Sequence, residues 1–413
     1  MISIDKNLNK LTYLFFLLGI LFSYFRGSNF LDADAYSVIL SFTNYIDNNI
    51  YSPSRGAYGH PIPELIIGSV NFYFGSRLSN VFCFVLFYFS IYLIYYTFLN
   101  KYKNSSLFLL LVVSNSYLFF ENTSSMDYSF ALFLFSLGLF FFFRKKFYLA
   151  SVIFGLTIAS RANFLLFIYP ILFVFFFNNL KNYNLYLIIK TLTIVTIVGL
   201  IFYIPLFYIN NFTLNFLDLP FLNNEQSGTS DKWYGGPPIK IKELLPRFLY
   251  KIYLLIGIYS SFIIFLNLKK LSKIKIFSEE NLYFFIIIFL NLITFYFMPT
   301  KISIIHPFIF FIYILIFKYL TIKQVSIIIF LNFFQWILIY NIIDIKYKFK
   351  DKCDPIVAVS ASFNFSLGKG FLFDYFDPKK NKTECYSKHL GKYSENFKKS
   401  MPLNKKLENL NNR

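Results

Sequence analysis

The sequence predicts an all-α polytopic membrane protein: about eleven transmembrane helices, interfacial helices in the first outer loop, and a small C-terminal outer tail. Three observations predict it. Of 413 residues, 56% are hydrophobic and 23% aromatic. Only 15% are charged, against about 25% in an ordinary soluble domain. The apolar residues gather into long runs between short charged hinges, and the mean hydropathy is +0.54. A single soluble core cannot absorb that much apolar surface. Disorder, coiled coil and nucleic-acid binding are excluded as descriptions of the whole chain.

Taken in order, the runs predict spans at 11–25, 80–99, 105–120, 127–143, 147–160, 163–179, 184–209, 248–268, 281–298, 302–320 and 324–344. Each is near the length that crosses a bilayer as a helix. The first is read as an uncleaved anchor, because Ser23-Tyr24-Phe25-Arg26 offers no small-residue cleavage site. With the N-terminus inside, the inner segments carry 14 Lys and Arg, among them Lys101, Lys103, Arg144, Lys145 and Lys146. The shorter outer loops carry five: Arg26, Arg55, Arg77, Arg161 and Lys301. That asymmetry orients the chain with its N-terminus cytoplasmic and its C-terminus outside. The net charge of +19 therefore reports orientation and tail composition, since 15 of the 40 basic residues lie in 345–413.

Residues 1–345 form the membrane domain, with outer segments at 26–79 and 210–247, and 346–413 form the tail. The first outer segment holds an amphipathic stretch at 34–47 and a half-apolar stretch at 62–75, both suited to the membrane interface. The tail suggests short strands at Ile356–Val359 and Phe363–Phe365, followed by a final polar stretch of about 25 residues expected to be disordered. Cys353 and Cys385 share an oxidising compartment on this orientation, where a disulfide between them is expected. Cys83, inside an apolar run, reads as an inert packing residue.

The ionisable residues sort by side. The outer face collects Asp32, Asp34, Arg55, His60, Glu64, Glu121, Asp127, Arg161, Lys301 and His306. Any one of them suits an interfacial anchor, but their gathering on one side is unexplained by anchoring alone. A charge at membrane depth costs about 2.5–3.5 kcal/mol and tends to serve a function when it faces a cavity. Asp32-Ala33-Asp34 supplies two carboxylates that point apart on a helix: one is a candidate general base, the other a candidate helix cap. Ser54-Arg55-Gly56-Ala57-Tyr58-Gly59-His60-Pro61 offers a guanidinium fork suited to phosphate, in a backbone constrained by two Gly and a Pro. Arg161 lies between two apolar runs, and Lys301 and His306 lie five apart at the outer end of a span. A divalent metal on His60, Asp34 or His306 would be compatible in chemistry, but the spacing is not that of a ligand set.

At these residues the chain resembles the multi-pass C-type glycosyltransferases, the superfamily of the dolichyl-phosphate-mannose-protein mannosyltransferases. An acid after the first span precedes a loop similar to the superfamily's Ser-Arg-x-x-Gly-x-Pro, here Ser54 to Pro61 with one extra residue. Gly155-Leu156-Thr157-Ile158-Ala159-Ser160-Arg161-Ala162 is similar to its Gly-Leu-x-x-x-Ser/Thr-Arg-Pro, with Ala162 for Pro. Pro299-Thr300-Lys301 with Ile304-Ile305-His306-Pro307 is similar to its late Lys-x-x-Tyr-x-x-Pro, with Ile304 for Tyr. The resemblance covers roughly residues 10–345.

It implies transfer of a sugar from a polyprenyl-phosphate carrier to an extracytoplasmic glycan, lipid or protein acceptor, in the cell membrane of a bacterium. Asp34 or Asp32 would be the base, with Asp34 preferred because Ala35-Tyr36 follows it. Arg55, His60, Arg161 and Lys301 would hold the lipid phosphate. Asp127, Glu121 and His306 are secondary candidates. The usual paired Asp-Glu is absent. Three other readings stay open: a transporter or lipid flippase, a polysaccharide polymerase, and a non-catalytic assembly subunit. The first predicts matching internal halves, which the sequence lacks.

Overall fold

A computed structural model describes residues 2–26, 59–100, 106–115, 122–209, 279–297 and 306–342, with isolated positions between them. The described residues form helices: α1 (Ile2–Arg26), α2 (Pro61–Phe98), α3 (Ser106–Ser114), α4 (Asp127–Phe143), α5 (Phe147–Ser160), α6 (Leu165–Asn178), α7 (Leu185–Ile201), α8 (Ile204–Ile209), α9 (Glu279–Phe297), α10 (His306–Tyr319) and α11 (Ile322–Ile342). The protein is an all-α polytopic membrane protein. Arg77–Phe98 is long and apolar enough to cross a bilayer outright, and eight shorter apolar helices accompany it among the described residues. Helix α1 leaves Leu14, Leu17, Leu18 and Leu21 exposed, a face suited to lipid rather than water.

The half-apolar stretch 62–75 and the span at 80–99 form one element, α2, with a break at Gly75 (φ 81°, ψ 168°). Only glycine adopts that backbone readily. The break separates Pro61–Phe74 from the crossing segment. In the amphipathic stretch, Val38, Ser41, Phe42, Tyr45 and Ile46 are helical. Val38 is buried with Ile67, Cys83 and Phe130, and Phe42 meets Phe72 and Tyr73 edge-on. Val38 and Phe42 thus pack back on α2, while Tyr45 and Ile46 are exposed.

Helices α4 and α5 form an antiparallel hairpin. Lys145 N–H donates to Phe142 O (2.8 Å) and Lys146 N–H to Phe141 O (3.0 Å), a Schellman close that needs a left-handed residue after the cap. Lys145 takes that role at φ 61°. Helix α2 packs on α4, α4 on α5, and α5 on α7, while α9 packs on α6 and α11 on α3. The core is rich in phenylalanine, with Phe84, Phe87, Phe108, Phe135, Phe142, Phe154 and Phe167 buried. Helix α3 stops at Ser114, where Asn115 Oδ1 accepts from Leu118 N–H (3.0 Å) and its Nδ2 donates to Tyr313 (2.7 Å). Most of the expected span at 248–268, the segment 210–247 and the tail with Cys353 and Cys385 lie outside the described residues.

Candidate active site

Helix α4 begins at Asp127 and runs to one end of the bundle. After the Arg144-Lys145-Lys146 turn, α5 returns, and Arg161 follows its last residue. The topology therefore delivers Asp127 and Arg161 to the same end. Each charge suits the helix terminus that carries it: a carboxylate at the positive N-terminus of α4, a guanidinium at the negative C-terminus of α5. Arg161 Nη1 stands 2.8 Å from Asp127 Oδ1, with side-chain exposures of 7% and 0%. The Arg161 guanidinium also lies over the Tyr128 ring, 3.7 Å from its centroid, and its Nε donates to Asn163 Oδ1 at 3.3 Å. Consecutive residues Asp127 and Tyr128 thus offer one cation both a counter-charge and an aromatic face.

The start of α2 reaches the same place. His60 Nε2 is 3.7 Å from Asp127 Oδ2. His60 caps α2, and Pro61 and Pro63 fill the first and third helical positions, where a missing N–H costs nothing. Glu64 is wholly buried. Its Oε1 accepts from His60 N–H (2.8 Å) and its Oε2 from the Tyr51 hydroxyl (2.5 Å). Gly59 is glycine for space: a Cβ there would stand 2.7 Å from Glu64 Oε1 and 2.8 Å from Tyr51 Oη. Tyr203, which donates to Ile158 O at 3.1 Å, is within electrostatic reach of Arg161, Glu64 and Asp127. The turn before α4 is held by a buried polar chain. Ser129 Oγ donates to Asn122 Oδ1 (2.8 Å), Ser125 Oγ lies 2.7 Å from both Ser79 Oγ and Asn80 Oδ1, and Asn80 Nδ2 donates to Ser23 O (3.4 Å). Buried polar groups of this kind fix a unique geometry because leaving one unpaired costs about 1–3 kcal/mol.

Of the residues singled out in the sequence, the structure brings together His60, Asp127 and Arg161. Asp32, Asp34, Arg55, Glu121 and Lys301 lie outside the described residues, and so does the side chain of His306. Glu64 was visible in the sequence only as one more outer acid, and Tyr51, Tyr128 and Tyr203 gave no signal among 33 tyrosines. The local cue for Glu64 was Pro61-Ile62-Pro63-Glu64, an acid in a proline-started first turn. Among the described residues, no three His, Cys, Asp or Glu side chains group as metal ligands would.

The fold itself is known. The chain superposes on the crystal structure of ArnT from Cupriavidus metallidurans bound to undecaprenyl phosphate with a TM-score of 0.52, covering 97% of this chain and 76% of that one. The chain shares its fold with ArnT. Sequence identity to ArnT is 12%, so the likeness is one of architecture. No family model matches the chain, and no curated protein matches its sequence. His60, Asp127 and Arg161 stand at the ends of α2, α4 and α5.

Proposed function

We propose that the chain is an integral membrane glycosyltransferase that moves a sugar from a polyprenyl-phosphate carrier to an extracytoplasmic acceptor. The observation that carries this reading is the buried meeting of Arg161, Asp127 and His60 at one end of a fold shared with an undecaprenyl-phosphate-bound protein. Residues 1–345 form the transferase unit and 346–413 an outer tail. The cluster faces outside, with the N-terminus in the cytoplasm.

In the proposed reaction, an acceptor hydroxyl oxygen attacks the anomeric carbon of the donor sugar. The bond from that carbon to the lipid-phosphate oxygen breaks, and the phosphate leaves with the electron pair. The hydroxyl proton passes to a carboxylate base, Asp34 by preference or Asp32. Arg161, His60, Arg55 and Lys301 hold the departing phosphate, because its charge rises as the bond breaks. A guanidinium suits this work: it has five donors in a fixed fork. Asp127 is committed to Arg161. Its role is to hold the guanidinium in place, with Tyr128 beneath.

The test is transfer of label from a polyprenyl-phosphate sugar to acceptor in membranes containing the chain. Arg161→Ala should cut transfer at least tenfold, the ~1.5–3 kcal/mol of a hydrogen bond to a charged group. Wild-type transfer in that variant would remove Arg161 from the reaction.

A further inference from the structure

We infer that Glu64 is a positioning residue: its carboxylate ties Tyr51 to the His60 backbone and so sets the His60 ring beside Asp127 and Arg161. The inference rests on the glycosyltransferase reading for its purpose, but its geometry stands apart from it.

Four observations carry it. Glu64 is fully buried, and Gly59, His60 and Tyr51 around it are buried as well. Its two oxygens are divided between two partners, the Tyr51 hydroxyl at 2.5 Å and the His60 N–H at 2.8 Å. These partners are nine residues apart in the sequence, and one side chain joins them. Gly59 leaves no room for a side chain between them, since a Cβ on it would fall under 3 Å from both polar atoms. The His60 ring, whose position follows from its backbone, then points at Asp127 from 3.7 Å.

A helix cap alone would not demand this arrangement. Pro61 and Pro63 already leave two fewer N–H groups to satisfy in the first turn. A carboxylate buried at the start of α2 is costly unless its bonds serve an ordered geometry. Without Glu64, Tyr51 and the His60 backbone lose their common link, and His60 spends less time beside Asp127. A ligand that needs that arrangement then binds more weakly, in proportion to the lost fraction.

The inference separates hydrogen bonding from charge. Glutamine at 64 keeps an oxygen for the His60 N–H and turns its amide toward the Tyr51 hydroxyl oxygen, so it preserves the geometry without the charge. Alanine removes both bonds.

The experiment uses the full chain in detergent, with two readouts on wild type, Glu64→Ala, Glu64→Gln and Tyr51→Phe. The first is the rate at which diethylpyrocarbonate modifies His60, followed by peptide mass spectrometry; His389, one of three histidines in the chain, is the reference in the same sample. The second is the Kd for undecaprenyl phosphate. Glu64→Ala should raise His60 modification about tenfold and weaken lipid-phosphate binding about tenfold, with Glu64→Gln within about threefold of wild type on both and Tyr51→Phe between them. The inference is overturned if Glu64→Ala leaves His60 reactivity unchanged, or if Glu64→Gln behaves as Glu64→Ala does. If wild type binds no undecaprenyl phosphate while His60 reactivity responds as stated, the positioning role stands and the glycosyltransferase reading falls. If lipid phosphate binds and His60 does not respond, the reverse holds.

Discussion

Arg161 and Asp127 are separated by the whole α4–α5 hairpin, yet Nη1 and Oδ1 come within 2.8 Å at the bundle end, out of water. A buried pair of this kind is poor evidence of stability in itself, because desolvation offsets attraction. It is strong evidence that both charges are wanted where they stand. Either one alone would be an uncompensated charge among the apolar helices.

That relationship predicts a non-additive double variant. Arg161→Ala or Asp127→Ala alone should destabilise the chain by about 3–5 kcal/mol, because each strands the other charge. The double variant Asp127→Ala/Arg161→Ala should cost less than the sum of the two singles. Thermal unfolding of the detergent-solubilised chain measures it, and simple additivity would rule out the coupling.

Lysine should not replace Arg161. An ammonium cannot lie flat on Tyr128 while also presenting a two-pronged fork to an oxyanion. Arg161→Lys should retain the fold but bind undecaprenyl phosphate about tenfold more weakly, the size of one weakened charged hydrogen bond. A titration of the purified variant reads this directly, and wild-type affinity would contradict it.

Gly155, six residues before Arg161, is set by packing. A Cβ there would stand 2.5 Å from Val198 Cβ and 3.0 Å from Val195 O on α7, so α5 and α7 touch through that glycine. Gly155→Ala should cost about 1–3 kcal/mol through overpacking and shift the helix that carries Arg161. A lower unfolding temperature, with weaker lipid-phosphate binding, is the expected pair of results.

Much of the architecture was legible because charges end the apolar runs. The spans expected at 127–143 and 147–160 coincide with α4 and α5, since Asp127, the Arg144-Lys145-Lys146 turn and Arg161 mark their limits. The expected span 184–209 divides instead into α7 and α8, with Phe202 and Tyr203 in a turn between them. Hydropathy runs straight through that turn; the break falls just before Pro205, which has no N–H to continue the ladder. Asp127 ranked second among the acids because a lone acid at a span end resembles an anchor. Its partner became evident only when the hairpin placed Arg161 beside it. Ser160 bonds Leu156 O in its own helix at 2.7 Å, whereas Asn163 accepts from Arg161 Nε at 3.3 Å. The Glu64–Tyr51 bond joins residues 13 apart in the sequence, and no periodicity reports such a contact.

The orientation has its own test. A tail placed outside should hold Cys353 and Cys385 as a disulfide. Maleimide labelling of both cysteines in intact cells should then require prior reduction. Labelling of both without reduction, or a tail reporter active only in the cytoplasm, would reverse the assignment.

Sugar transfer is the most direct measurement. Membranes containing wild type, Asp34→Asn or Asp32→Asn are incubated with labelled polyprenyl-phosphate sugar, and label on acceptor is followed. Wild type should transfer, and Asp34→Asn should lose about 10²–10⁴-fold, the range of a general base, while still binding the lipid carrier; Asp32→Asn should lose less. Full transfer by Asp34→Asn with loss in Asp32→Asn would name the other acid as the base, and no transfer by wild type with any carrier would contradict the glycosyltransferase assignment.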